Sequence, residues 1–284
     1  VRDGRAAVRS LERERAELWE NAPALSIAVS FAAPPPERFV LLVQNCMRAA
    51  QASVTGATLA AFARERGACR VELELDAPDV DIELAAPETS EPSPFRFTVL
   101  SDIQEAIDDV QDIYDRINVT PRIDFLLGAG DLTEQGSVGE LEQFQQYMRG
   151  LGVPYYVTLG NHELGASPPP YHDYFGRGSA SFEYLGVRFT LLDSASATLD
   201  PIVYGWLEEW LALGREQPHV VAMHIAPLDP IGVRNGAFAS RAEAGKLLAK
   251  LASAGVDLTL YGHIHSYYRF DNAGIPAQIS GGGG

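Results

Sequence analysis

The sequence predicts an α/β fold preceded by a small, mainly β domain. Three observations lead to this prediction: strand-type alternation early in the 284 residues, a proline-rich polar stretch, and alternating strand and helix patterns beyond it. The polar stretch, over 85–94, has no apolar periodicity and is typical of an inter-domain linker. We therefore predict an N-terminal helix, a small β domain and a linker over 1–92, and a larger domain over 93–284.

Composition narrows the classes of function. The chain is 46% hydrophobic and 21% charged, as in an ordinary globular protein, and its net charge is −16. Because nothing broadly positive is available to meet phosphates, we expect neither a nucleic acid nor an anionic membrane surface as the main partner. No apolar run approaches the length of a membrane span, so this chain is expected to carry none.

Within the first part, residues 5–19 place apolar side chains among many charges, which predicts a short amphipathic helix. Two apolar runs follow over 25–31 and 39–43, with three prolines between them. Over 70–84, apolar residues alternate with Glu and Asp on both sides of Ala77-Pro78-Asp79. That pattern predicts a β-hairpin with one buried face and one solvated, acidic face.

The two cysteines, Cys46 and Cys69, are too few for a disulfide scaffold and lack the spacing of a zinc site. Either one bridge or two buried thiols fits. The first residue is Val1 rather than Met, and a β domain precedes the larger one. With a bridge, these features favour an exported protein (periplasmic, extracellular or tethered to a membrane from outside this chain) over a cytoplasmic one.

The larger domain alternates strand and helix patterns, with one hairpin that turns at Leu185-Gly186. Strands are predicted over 95–100, 123–129, 154–159, 181–184, 187–192, 219–223 and 256–260, and helices over 105–117, 141–148, 203–213 and 241–254.

Polar residues of ligand type follow five of these strands. Open α/β sheets place their sites at the carboxyl ends of strands, so we expect these side chains to converge. On extended backbone, His263 and His265 would point the same way. Carboxylates, amides and imidazoles together suit hard or borderline divalent metals. The residues of ligand type are Asp102, Gln104, Asp131, Asn161, His162, His224, His263 and His265.

In chain order, these residues form the blocks Ser101-Asp102-Ile103-Gln104, Gly130-Asp131, Gly160-Asn161-His162-Glu163, His224 and Gly262-His263-Ile264-His265. The series resembles the calcineurin-like metallophosphoesterase superfamily, and every block but the first matches its signature fully. The resemblance covers residues 95–284. It implies a metallophosphoesterase-type β-sandwich flanked by helices, which hydrolyses a phosphomonoester or phosphodiester.

The resemblance also implies a site for two divalent or trivalent metal ions, Mn, Fe or Zn. Asp131 would bridge both ions, and the ions would hold a hydroxide between them for attack on phosphorus. Bound metals would also supply the positive charge that this acidic chain lacks. One ion would be completed by Asp102, Gln104 and His265, and the other by Asn161, His224 and His263.

Other residues are assigned to substrate rather than to metal. The resemblance implies that His162 faces the substrate beside Asn161 as a catalytic residue, oriented by the carboxylate of Glu134. Arg234, in the loop over 232–236, is a candidate cation for the substrate phosphate. We expect a small phosphate ester or a phosphorylated substrate as partner.

Gln104 departs from the signature, which most often has histidine there. Its amide oxygen is a harder and weaker donor than imidazole, so we expect looser metal binding at that position, or a preference for Mn or Mg. Two functions therefore stay open: a metal-dependent phosphoesterase, or a catalytically weak or inactive binding module that keeps the fold.

Overall fold

A computed structural model of the chain describes residues 1–65, 67–86, 94–165, 167, 169–232 and 236–283. Most of the predicted linker, residues 87–93, and the predicted phosphate contact Arg234 lie outside the described residues.

The first part of the chain is a β-sandwich of two sheets that share one apolar core. One sheet has the order β1-β2-β4-β7-β6 and the other β3-β8-β5. Alternate residues of each sheet point inward, including Leu41 and Val71 from one and Ile27 and Ile82 from the other. The strands are β1 (Ala6–Leu11), β2 (Arg15–Glu20), β3 (Leu25–Ser30), β4 (Arg38–Gln44), β5 (Gln51–Thr55), β6 (Ala57–Glu65), β7 (Ala68–Leu75) and β8 (Asp79–Ala85).

The helix predicted over 5–19 is wrong, because these residues form the antiparallel strands β1 and β2. Ala16 and Leu18 are buried at a spacing of two, which is the period of a strand, whereas Val8 and Leu11 stay exposed. β2 also pairs in parallel with β4, so this tertiary pairing overrides local helix propensity.

The strands predicted over 70–84 are confirmed, but their pairing as a hairpin is wrong. β7 pairs with β4 and β6, whereas β8 pairs with β3 and β5 in the other sheet. The residues between them therefore cross from one sheet to the other. Alternation reports which face of a strand is buried, and it does not identify the neighbouring strand.

Of the two alternatives for the cysteines, the structure shows the bridge: Cys46 and Cys69 form a disulfide with Cα atoms 5.7 Å apart. It joins the residues after β4 to the start of the neighbouring strand β7, where Val43 and Cys69 are register partners.

The larger part is the expected mixed α/β sandwich. A parallel sheet of order β11-β10-β9 faces a mixed sheet of order β12-β13-β14-β15-β17-β16, and aromatic residues such as Phe125 and Phe189 fill the space between them. The strands are β9 (Arg96–Leu100), β10 (Ile123–Gly128), β11 (Tyr155–Val157), β12 (Ala180–Tyr184), β13 (Val187–Leu192), β14 (His219–Met223), β15 (Leu258–Tyr261), β16 (Tyr267–Asn272) and β17 (Ile275–Ser280).

Helices cover the outer faces of both sheets. Tyr114 and Phe144 pack on the three-stranded sheet, and Leu207 and Leu247 pack on the six-stranded one. The helices are α1 (Gln111–Val119), α2 (Val138–Met148), α3 (Tyr171–Phe175), α4 (Pro201–Leu213) and α5 (Arg241–Ser253). None of the helices in the described part of the chain is long and apolar enough to span a membrane.

Most elements predicted in the larger part are confirmed within a few residues, including the β12–β13 hairpin. The helix predicted over 105–117 is divided into a 3-10 turn, Gln104–Asp108, and α1. The sequence analysis missed the hairpin of β16 and β17, in which Tyr267 and Tyr268 are exposed and the turn passes through Gly274. The exposed edge strand β16 lacks the apolar alternation that a prediction needs, although its partner β17 has it.

Candidate active site

The seven predicted ligands lie together at the carboxyl ends of β9, β10, β11, β14 and β15. Asp131 is at the centre, buried between the two sheets. Its Oδ2 atom lies 3.0 Å from Gln104 Nε2 and 3.2 Å from His224 Nε2. The sheets thus bring together residues far apart in the sequence, such as Asp102 and His263, which are separated by 161 positions.

One half of the site is compact, with Asp131 and His224 buried and with Asn161 and His263 half-buried. Ligand atoms of Asp131, His224 and His263 all lie within 4.8 Å of one another. Asn161 Oδ1 lies 3.0 Å from His224 Nε2 and adds an amide oxygen. One carboxylate, two imidazoles and an amide fit a borderline divalent metal in number and in kind.

The other half is more open and consists of Asp102, Gln104 and His265. His265 Nε2 lies 3.5 Å from Asp102 Oδ1, and 44% of the His265 side chain is exposed. Asp102 itself is buried and accepts hydrogen bonds from Ser101 Oγ (2.6 Å) and from the backbone N–H of His263 (2.9 Å). This half has fewer imidazoles and more solvent than the first.

His263 and His265 both reach the site, but not on extended backbone as predicted. His263 has φ of 67°, and close turns follow it, with Ile264 N donating to Gly262 O at 2.7 Å. The two imidazoles therefore reach opposite halves of the site: the His263 ring lies 5.2 Å from that of His224, and His265 lies beside Asp102.

Strained backbone marks this edge of the sheets. Four candidate ligands have positive φ: Asp102 (60°), Gln104 (48°), Asp131 (52°) and His263 (67°). A non-glycine residue in this region costs on the order of 1–3 kcal/mol, so packing elsewhere must hold these turns. Such strain is typical of functional sites.

Gly160 permits the closest approach of two ligand loops. A Cβ atom at this position would overlap the side chain and backbone N of Asp131. Any side chain there would push the loop that carries Asn161 away from the central carboxylate.

Glu163 is a functional residue that the sequence analysis left without a role. It is fully buried and accepts hydrogen bonds from the backbone N–H groups of Asp131 (3.0 Å), Leu132 (2.9 Å), Thr133 (3.0 Å) and Gly160 (2.7 Å). It thereby ties the Asp131 loop to the Asn161 loop. Burial and the nearby Asp131 raise the pKa of Glu163, and these hydrogen bonds oppose that rise. The sequence offered one signal for this role: Glu163 stands in the block Gly160-Asn161-His162-Glu163, next to candidate ligands.

His162 lies at the rim with its ring oriented by Glu134. His162 Nδ1 lies 2.6 Å from the backbone carbonyl oxygen of Glu134 and 3.6 Å from its carboxylate. His162 Nε2 lies 3.9 Å from Asp131 Oδ2, on the side of the ring away from Glu134. The main-chain carbonyl, rather than the predicted carboxylate, is therefore the closer partner of Nδ1.

The central groups perturb one another's protonation. Burial lowers the affinity of His224 for a proton, but its hydrogen bond to Asp131 and the charge of that carboxylate raise its pKa to about 9. Burial likewise opposes ionisation of Asp131, yet His224 and the N–H of His162 hold its pKa below the usual value. Burial raises the pKa of Asp102. Strong mutual shifts of this kind are typical of active sites.

Comparison with known proteins agrees with this geometry. The model of the calcineurin-like phosphoesterase family matches residues 95–267, which contain all seven candidate ligands. The chain belongs to the calcineurin-like phosphoesterase family. The first 94 residues, which include the β-sandwich, lie outside the match.

Individual relatives match part of the chain. A 3',5'-cyclic-nucleotide phosphodiesterase of Nostoc sp. is 29% identical over 161 residues, which are 52% of this chain and 58% of that protein. A dimetal phosphatase of Danio rerio has a similar fold at 15% identity, with a TM-score of 0.54 over 66% of this chain and 88% of that one. The GAP50 anchor in the inner membrane complex of Plasmodium is similar at 15% identity, with a TM-score of 0.51 over 66% of this chain and 72% of that one.

Proposed function

We propose that this protein is a metal-dependent phosphoesterase with a dinuclear site at the carboxyl ends of β9, β10, β11, β14 and β15. The observation that carries the proposal is the group of Asp131, His224 and His263, whose ligand atoms lie within 4.8 Å of one another inside the family match, with Asp131 and His224 buried. A carboxylate and two imidazoles at this spacing are donors that suit a borderline divalent metal.

Each half of the site would hold one ion. Asn161, His224 and His263 would hold the first, and Asp102, Gln104 and His265 the second, with Asp131 shared. When bound, Mn, Fe or Zn ions would polarise the phosphoryl oxygens and lower the pKa of water. Gln104 now presents its Nε2 to Asp131, so its amide has to rotate before Oε1 can ligate.

The protein's own residues orient the ester and move a proton. His162, with Nδ1 on the carbonyl of Glu134, presents Nε2 to the space beside Asp131. There, Nε2–H would hydrogen-bond a phosphoryl oxygen or protonate the leaving oxygen. The amide of Asn161 would contact the same phosphate.

We infer that phosphodiesters of small molecules are the substrate class. The Nostoc relative, a cyclic-nucleotide phosphodiesterase by name, supports this, although this chain covers only 58% of that relative's length. A net charge of −16 works against a polyanionic macromolecule as substrate.

The alternative is a binding module without activity. Gln104 in place of histidine favours it. Against it, a binding module has no physical need for seven converging ligands.

The test is hydrolysis of bis(p-nitrophenyl) phosphate and p-nitrophenyl phosphate by metal-free protein, with and without added Mn²⁺. The proposal expects turnover that depends on the metal and is faster with the diester. No turnover of either ester at saturating Mn²⁺, Fe²⁺ or Zn²⁺ would support the binding module instead.

We also propose that the protein works in an oxidising compartment, outside the cytoplasm. The Cys46–Cys69 disulfide supports this proposal, because such bridges persist where thiols are not kept reduced. A thiol count on denatured, unreduced protein should find no free thiol, and two reactive thiols would contradict the proposal.

A further inference from the structure

Strand β11 leads directly into Asn161 and His162, and it is the edge strand of its sheet. On one side it pairs with β10: Leu126 N donates to Pro154 O at 2.8 Å, and Thr158 N donates to Gly128 O at 3.1 Å. The backbone N–H and C=O groups of Tyr155 and Val157 therefore point the other way. Buried groups of this kind need partners, and among the described residues no strand pairs with β11 on that side.

Instead of a neighbouring strand, two asparagine side chains from the N-terminal β-sandwich bind these backbone groups. Asn45 Oδ1 accepts from Tyr155 N at 2.9 Å, and Asn45 Nδ2 donates to Tyr155 O at 3.0 Å. Asn21 Oδ1 accepts from Val157 N at 2.7 Å, and Asn21 Nδ2 donates to Val157 O at 3.2 Å. Each carboxamide thus pairs with both backbone groups of one residue, as a neighbouring peptide would.

A buried arginine completes the contact. Arg5 Nη2 donates to Val157 O at 2.6 Å, and Arg5 Nε donates to the backbone carbonyl of Asn21 at 3.0 Å. Burial lowers the pKa of Arg5 to about 10, so the guanidinium keeps its charge at neutral pH. A buried charge is costly unless it is hydrogen-bonded, and here its donors bind main-chain carbonyls of both parts of the chain.

We propose that Asn21, Asn45 and Arg5 are positioning residues for the active site, acting as a clamp on the edge of β11 that fixes where Asn161 and His162 stand. The inference rests on the proposed function for its catalytic consequence. It makes the N-terminal β-sandwich, which the family match leaves out, a part of the catalytic unit.

The connection from the clamp to the site is short and tightly bonded. Only residues 158–160 separate Val157 from Asn161, and Thr158 is fully buried with its Oγ1 donating to Gly178 O at 2.8 Å. Beyond them, Asn161 Oδ1 lies 3.0 Å from His224 Nε2, and His162 N donates to Asp131 Oδ1 at 3.0 Å. A shift of β11 is therefore passed on to both residues.

The test uses the full chain and the variants Asn45→Ala and Asn21→Ala. Two controls accompany them. Gln44→Ala removes a hydrogen bond to Glu17 beside Asn45 but within the β-sandwich. Thr190→Val removes the buried contact between Thr190 Oγ1 and His219 Nε2, away from β11, and serves as a control for lost stability. All assays are run at a temperature at which melting curves show each variant folded.

The clamp predicts a fall in kcat of about 10- to 100-fold for both asparagine variants with KM nearly unchanged, because misplacement of about 1 Å can cost 100-fold. Hydrogen exchange at residues 155–162 should become faster, and Mn²⁺ affinity should fall by about tenfold. Gln44→Ala should change none of these, and Thr190→Val should lower the melting temperature without changing kcat.

The clamp is overturned if the asparagine variants lose stability as Thr190→Val does but keep kcat, Mn²⁺ affinity and exchange at residues 155–162 unchanged. Failure of the proposed function is distinguishable, because the wild type itself would then hydrolyse no ester. In that case, hydrogen exchange at residues 155–162 and the Mn²⁺ affinity of the asparagine variants would still decide whether the clamp positions the Asn161 loop. If either asparagine variant does not fold, the other gives the result.

Discussion

A fully buried histidine lies at each end of β14, and the two histidines differ in their neighbouring charges and in their pKa. At the carboxyl end, the hydrogen bond and charge of Asp131 overcome the effect of burial and raise the pKa of His224 to about 9. At the amino end, burial and the nearby Arg188 lower the pKa of His219 to about 4. Both histidines are buried, so the difference between their pKa values comes from the neighbouring charges and hydrogen bonds.

The contrast extends to the whole sheet. Carboxylates, an amide and strained turns lie at its carboxyl edge, whereas His219 at the other edge has its Nε2 2.8 Å from Thr190 Oγ1. His219 lies in a central strand, between β13 and β15.

Replacement of Asp131 by Asn should remove the difference in pKa between His224 and His219, and it should have the largest effect on kcat. The shared carboxylate would be lost, and the charge that raises the pKa of His224 would be lost with it. We expect kcat to fall by at least about 10³-fold, since the metals supply several kcal/mol of transition-state stabilisation. Steady-state hydrolysis of the diester with added Mn²⁺ measures this, and a variant that keeps a tenth of the activity would contradict it.

Two substitutions at the rim should sharpen the roles at the carboxyl edge. His162→Asn should lower kcat by about 10²–10³-fold, as expected for loss of a general acid. Glu134→Gln should lower it by less than about tenfold, because the carbonyl oxygen of Glu134, at 2.6 Å, is the closer partner of His162 Nδ1. Equal losses in the two variants would show that the carboxylate orients the ring.

Gln104→His should reduce the difference between the two halves of the metal site. An imidazole is a stronger donor than an amide oxygen for Mn²⁺ or Zn²⁺, so the weaker metal should bind about tenfold more tightly. Glu105→Gln, at the exposed neighbouring position, is the matched control and should leave both affinities unchanged. No gain in Gln104→His would mean that exposure, rather than the ligand, weakens that half.

His219→Gln should have the smallest effect, and only on acid stability. The unfolded chain binds a proton at His219 near pH 6.5, whereas the folded chain does so only near pH 4. The contribution of this residue is therefore fully present above pH 6.5 and is lost as the pH falls towards 4. Denaturant unfolding from pH 7 to pH 4 should show a shallower loss in the variant. Diester hydrolysis at pH 7 should not change.

The convergence of the candidate ligands was predictable because they follow five strands, and parallel strands bring their carboxyl ends to one edge. The looser metal binding expected at Gln104 stays a prediction. Roles that depend on burial and distant contacts were not predictable: Glu163 acts through backbone N–H groups of two loops. Asn21 reaches across 136 positions to Val157. Contacts between residues so far apart produce no local periodicity in the sequence. For the same reason, the strands that pair with β7 and β8 could not be predicted.

Calorimetric titration of the metal-free protein with Mn²⁺ tests the central claim, a dinuclear site of unequal halves, most directly. The account predicts two ions per chain, with the second bound at least about tenfold more weakly than the first, and only weak residual binding in Asp131→Asn. Absence of Mn²⁺ binding by the folded wild type, or binding that Asp131→Asn leaves intact, would contradict it.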